Sequence, residues 1–209
     1  MFAENIIAFA ITATVLTMAP GLDTAMVLRS ALANGGRHGA LTAIGIATGC
    51  MCWGSAAALG LSALLQAWPL AFLMLKWGGA TYLAWLGGRL LLHPRKAILA
   101  SQIGKARPPS YASSMARGFG TNILNPKVGL FYVTLLPQFI PRTAIGGNYA
   151  VLLSCVAAGI ALAWFMMLAG IAASIRPWLR SARAAQAIDR VTGGVFLVMG
   201  FGLTQVAHA

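Results

Sequence analysis

Residues 5–28 read NIIAFAITATVLTMAPGLDTAMVL. From Ile6 to Ala19 the run carries no charge; Pro20, Gly21 and Asp23 then interrupt it. A bilayer core takes about 20 mostly apolar residues as a helix. Lipid offers the backbone no hydrogen bonds, so a helix that satisfies its own is the form such a run must take. Proline inside a helix removes one of those bonds and clashes with the preceding turn. The adjacent Gly21 adds backbone freedom. The first span is therefore predicted to break at Pro20, freeing backbone groups to face a cavity. It does not read as a cleavable signal peptide: the only early charge is Glu4, and the apolar part is too long.

Working outward, five more apolar runs follow: Ala40 to Leu65, Leu70 to Leu91, Gly118 to Ile140, Tyr149 to Ile175 and Val191 to Val206. The chain of 209 residues is 59% hydrophobic and only 9% charged, with a mean hydropathy of +0.78. A soluble domain carries about 25% charged residues, so a water-soluble enzyme is excluded. A disordered chain is excluded because such chains are poor in apolar residues. A β-barrel needs short alternating strands rather than long unbroken runs. The expected fold is an all-α integral membrane protein, one domain over residues 1–209, with six transmembrane helices.

Charge orients it. Arg29 and Arg37 follow the first run, and no charge follows the second. Arg89, Arg95, Lys96, Lys105, Arg107 and Arg117 follow the third, Arg142 alone the fourth, and Arg176, Arg180, Arg183 and Arg190 the fifth. The crowded side is predicted to be cytoplasmic, which puts both termini in the periplasm. The net charge of +12 thus belongs to membrane topology and implies no nucleic-acid partner. The longest connection, about 93–116, holds Pro108-Pro109 and then Ser110, Ser113 and Ser114, and reads as a basic cytoplasmic loop. Ile98, Leu99 and Ile103 in it suit either a short surface helix against anionic lipid heads or a solvated linker.

The halves look related. Met18-Ala19-Pro20-Gly21-Leu22-Asp23 is matched by Leu124-Asn125-Pro126-Lys127-Val128-Gly129. Gly78-Gly79 and Gly87 in the third run match Gly193-Gly194 and Gly202 in the sixth. Three helices per half make the second half enter from the opposite side, the inverted repeat of secondary transporters. The repeats are expected at about 1–92 and 117–209, with helices 1 and 4 broken at Pro20 and Pro126.

Of the three acidic residues, Asp23 is the one expected within a span. A charge at the centre of a membrane helix costs about 2.5–3.5 kcal/mol on insertion scales, and marks a functional position by default. Asp23 and Lys127 are expected at similar depth. The pair reads either as a structural lock between helices 1 and 4 or as a site in which Asp23 holds an ammonium and Lys127 a carboxylate. Asn122 and Asn125, three apart, are expected on one helical face beside them. Lys76 suits snorkelling or the exit path. Gly45-x-x-x-Gly49 is a close-packing motif, read first as packing within the chain and second as a homodimer face. His38, His93 and His208 look isolated near span ends. Cys50, Cys52 and Cys155 read as small buried hydrophobes, and no metal cluster, cofactor motif or catalytic set is visible. A membrane thiol protein is the alternative from another class.

These residues resemble the LysE/RhtB family of amino-acid exporters over essentially the whole chain. The resemblance rests on Pro20-Gly21-Leu22-Asp23-Thr24, on Lys76-x-x-Gly79-Ala80-x-Tyr82-Leu83-x-x-Leu86-Gly87, and on Gly118-Phe119-x-x-Asn122-x-x-Asn125-Pro126-Lys127 with Phe131-Tyr132 and Pro137-Gln138-Phe139. It departs where the family has a second proline and this chain has Leu22, which should soften the break. The resemblance implies an inner-membrane exporter of an amino acid or derivative, driven by the proton motive force. Competition of proton and substrate ammonium for Asp23 would couple the two flows. Export of another small metabolite is the near alternative.

Overall fold

A computed structural model describes residues 2–61, 69–93, 109–141, 147–179 and 182–205, and among them the regular elements are helical. Helix α1 (Phe2–Met18) stops two residues before Pro20, because the residue before a proline is pushed away from helical geometry. Helix α2 (Leu22–Asn34) starts with Gly21 as an extended N-cap and Asp23 in its first turn, where the helix dipole favours an acid. The two axes bend by 55°. Gly35, at φ 96°, turns the chain into α3 (Gly36–Ala56), which continues through a π-helical turn, Ala57–Leu61. Helix α4 is Pro69–Leu92.

Helix α5 (Tyr111–Ile123) begins earlier than the loop reading allowed. Ser110 is its N-cap and accepts a hydrogen bond from the Ser113 amide at 3.2 Å. Ser113 and Ser114 are thus helical, and the basic connection is shorter than 93–116. Residues 94–108, with Ile98, Leu99 and Ile103, lie outside the described residues. After a break at Leu124 and Asn125 comes the short helix α6 (Pro126–Leu130), then a π turn (Phe131–Leu135) and a 3₁₀ turn (Leu136–Phe139). The fourth apolar run is therefore two helical pieces and two irregular turns. Helices α7 (Asn148–Leu179) and α8 (Ala182–Gln205) complete the chain.

Helix α3 is the centre, packed between α5 and α7, while α4 pairs with α8. Glycines set these distances. A β-carbon at Gly45 would collide with the Met115 carbonyl, one at Gly118 with the Thr42 carbonyl, and one at Gly54 with the Ser154 hydroxyl. The Gly45–Gly49 face is thus taken up inside the chain, so it offers no dimer surface. At Gly87 and Gly193 a β-carbon on either would come within 2.7 Å of the other's carbonyl oxygen. Gly118→Val is expected to cost more than the roughly 1–3 kcal/mol of ordinary overpacking, because backbone must move. Thermal unfolding in detergent should show a fall in Tm of several degrees, whereas Gly120→Ala, which meets open space, should show none.

Large apolar side chains face outward along the helices, among them Ile7, Ile11, Leu70, Val198 and Phe201. Among the described residues, 36–59 and 148–175 are each long and apolar enough to cross a membrane, and the bent pair 3–18 with 22–34 qualifies as one broken span. Thr12 and Thr14 bond back to the Ala8 and Ala10 carbonyls, which satisfies their hydroxyls within the helix. The sixth run does not start at Val191: α8 begins at Ala182 and holds Asp189, which is fully buried. Asp23 is therefore not the sole acid inside the fold.

Candidate functional site

The two proline breaks meet, and each leaves a defined loose end. In a helix the amide of residue 20 would bond to the carbonyl of Leu16; Pro20 has no N–H, so that oxygen is orphaned. Lys127 supplies the missing donor: its Nζ donates to Leu16 O at 3.0 Å and Ala19 O at 2.8 Å. A cation at the C-terminal end of α1 also suits the helix dipole. At the second break Pro126 leaves the Asn122 carbonyl without its helical donor. The Asn125 amide takes it at 3.1 Å. Asn125 Oδ1 in turn caps α6 by accepting from the Lys127 amide at 3.1 Å.

Asp23 reaches across from α2 to α5, where Asn122 Nδ2 donates to its Oδ2 at 2.9 Å. The same Nδ2 lies 3.6 Å from Cys50 Sγ on α3. Gly49 makes room for this, since a β-carbon there would come within 2.5 Å of Asn122 Oδ1. Asp23, Asn122, Lys127, Cys50 and Tyr132 line one cavity of about 40 Å³, walled otherwise by Thr17 and by apolar side chains from α1, α3, α6, the π turn and α7. That is room for about three waters. Seven buried side-chain polar atoms have no hydrogen-bond partner among the described residues, and four of them gather at this junction: Asp23 Oδ1, Asn122 Oδ1, Asn125 Nδ2 and the Tyr132 hydroxyl. Buried polar groups are normally satisfied, so a concentration of unused capacity here points to an absent ligand or water.

The geometry revises the sequence picture in detail. Asp23, Asn122 and Lys127 do converge, and Pro20, Gly21 and Pro126 shape the space around them; a β-carbon on Gly21 would lie 3.3 Å from Lys127 Nζ. Asp23 and Lys127 share the cavity without a direct ion pair among the described residues, because each is held by another partner. Asn122 and Asn125 do not share a helical face: one ends α5 and the other caps α6. Lys76 falls in α4, and its side chain lies outside the described residues. Cys50 and Tyr132 line the cavity; for Tyr132 the sequence signal was a tyrosine about two turns beyond the second break. His38 is not isolated. It is buried in the first turn of α3, with Nδ1 2.8 Å from Ser114 Oγ.

Two broken helices with opposite charges at their junction and outward apolar surfaces are the build of a membrane translocator. Comparison with known proteins gives the family. Residues 14–205 match the LysE type translocator family, and the chain belongs to it. It is 29% identical over 206 residues to the uncharacterized membrane protein YrhP of Bacillus subtilis (strain 168), covering 96% of this chain and 97% of that one. It is 33% identical over 148 residues to a leucine efflux protein of Enterobacter sp. (strain 638), covering 69% of each. It is 28% identical over 205 residues to a homoserine/homoserine lactone efflux protein of Salmonella typhi, covering 97% of each. No solved structure matches.

Proposed function

We propose that this protein exports an amino acid or a close derivative from the cytoplasm by proton antiport. The observation that carries the reading is the unused hydrogen-bonding capacity around Asp23 and Lys127. An α-amino acid brings an ammonium that needs acceptors and a carboxylate that needs donors. Asp23 Oδ1 and Asn122 Oδ1 are spare acceptors. Lys127 has three N–H groups, two of them used, and the Tyr132 hydroxyl adds a second donor. The names of the leucine and homoserine efflux relatives agree with this chemistry. Proton coupling follows from competition between a proton and the substrate ammonium for one carboxylate. Each charge moved gains about 2.3 kcal/mol per 100 mV.

The wider architecture in this reading is six spans in two inverted repeats within the inner membrane, both termini periplasmic. The loss of the helical donor to corresponding carbonyls, Leu16 O at Pro20 and Asn122 O at Pro126, supports it, as does the packing of repeat-related partners, α3 on α7 and α4 on α8. In this reading the cavity at the junction opens to each side in turn by rocking of one half against the other. The deciding experiment is efflux from cells loaded with dipeptides. One amino acid should appear outside several-fold faster when the protein is expressed, and a protonophore should stop export against a gradient. Continued uphill export with gradient and potential collapsed would reject antiport; no change for any amino acid would reject the substrate class.

A further inference from the structure

The three helices that carry the central site also carry a second polar layer. From Asp23 along α2, seven residues lead to Ser30. From Gly49 back along α3, seven lead to Thr42, and His38 lies one turn further. From Asn122 back along α5, eight lead to Ser114. At 1.5 Å per residue each path is about 10–12 Å, so the second layer sits two turns from the first along the same seam.

Its members are buried and bonded to one another. His38 Nδ1 shares a hydrogen bond with Ser114 Oγ at 2.8 Å. Thr42 Oγ1 lies 3.0 Å from Ser30 Oγ, 2.8 Å from His38 O and 3.4 Å from Ser114 O. Outside this layer the Tyr111 ring stands 5.0 Å from the His38 ring, and the Arg37 guanidinium lies 5.0 Å from the centre of the Tyr111 ring. Between the two layers the seam is shut by Val27, Leu28, Ala43 and Ile46, each at most 1% exposed, and by the Gly45 and Gly118 backbone contacts.

We propose that His38, Ser114, Thr42 and Ser30 form the gate that closes the pathway on the side of Arg29, Arg37 and Arg117. Buried polar groups in an apolar seam are costly unless bonded, and alanine or valine would hold a permanent seam more simply. A latch of hydrogen bonds differs in one respect. When the seam parts, water replaces each protein partner, and a hydrogen bond exchanged for water changes the free energy little. The gate therefore holds the closed state in register and opens at small cost. Apolar packing alone would leave its exposed groups unsolvated in the open state. The inference rests on the transport reading for its purpose, though not for its test.

Cys50 in the cavity is the reporter, in a Cys52→Ser, Cys155→Ser background; both removed thiols are exposed. Its reaction with a charged, membrane-impermeant thiosulfonate is followed in inside-out and right-side-out vesicles, with no amino acid present. Ser114→Ala and His38→Ala are each expected to speed modification about tenfold from the face bearing Arg29 and Arg37, and not from the other, because each leaves a buried partner unsatisfied in the closed state and only there. His38→Gln keeps a bonding group and should stay near the parent rate. If His38→Ala fails to insert, Ser114→Ala carries the test alone. No acceleration, equal acceleration from both faces, or acceleration from the opposite face only would overturn the gate. Efflux by the same variants reports separately on the transport reading.

Discussion

Asp23→Asn is expected to bring uphill efflux down to the background of cells lacking the protein, with the amount of inserted protein unchanged. The replacement has nearly the same shape, and its amide oxygen still accepts from Asn122 Nδ2, as Asp23 Oδ2 does at 2.9 Å. The fold therefore keeps its cross-helix tie. Two functions are lost. A hydrogen bond to a charged group contributes about 1.5–3 kcal/mol, so substrate binding should weaken by roughly 10- to 100-fold at 1.4 kcal/mol per decade. The amide also takes up no proton, so nothing links export to the proton gradient. Efflux against a gradient and substrate-induced alkalinisation in vesicles check both halves. Full uphill transport by the variant would remove Asp23 from the mechanism.

Lys127→Met is expected to be the most damaging single change to stability. The Leu16 and Ala19 carbonyls lose their donor at 3.0 and 2.8 Å, and Asp23 is left as an uncompensated charge in the same cavity. Each buried carbonyl left without a donor costs about 1–3 kcal/mol, the loss of the neighbouring cation adds to this, and little is recovered where water is scarce. The measurement is the fraction of protein that stays monodisperse in detergent on heating, with efflux alongside. The double variant Asp23→Asn, Lys127→Met tests the cause. It neutralises the remaining charge, so part of the thermal stability should return while efflux stays absent. If the double variant is no more stable than Lys127→Met alone, the damage lies in the orphaned carbonyls rather than in the charge.

Much of the site was legible because proline and buried charge carry their consequences locally. Pro20 and Pro126 each delete a particular hydrogen bond, so a break was implied wherever they fell in an apolar run. Asp23 and Lys127 were conspicuous because ionisable groups in lipid need compensation. The form of that compensation was not legible. Nothing local says that the Lys127 ammonium goes to the Leu16 and Ala19 carbonyls, 111 and 108 residues away, instead of to the Asp23 carboxylate. Asn122 and Asn125 were misplaced for a related reason: a spacing of three means one face only where the helix is continuous, and here it ends at Ile123. The buried Asp189 and His38 were missed because hydropathy ends a run at the first charge, while the helix itself continues.

The chain's own pattern decided the solvent, the class of fold and the places where helices break. Those depend on average hydropathy and on single-residue stereochemistry, which no distant contact can alter. Tertiary structure decided the partners: which broken end meets which cation, which glycine admits which carbonyl, and which polar side chains are left with spare hydrogen bonds around a cavity of about 40 Å³. Those are pairings between segments far apart in the chain, from Gly45 with Met115 to Leu16 with Lys127. They are selected by fit once α3 has been packed between α5 and α7, and no local pattern encodes them.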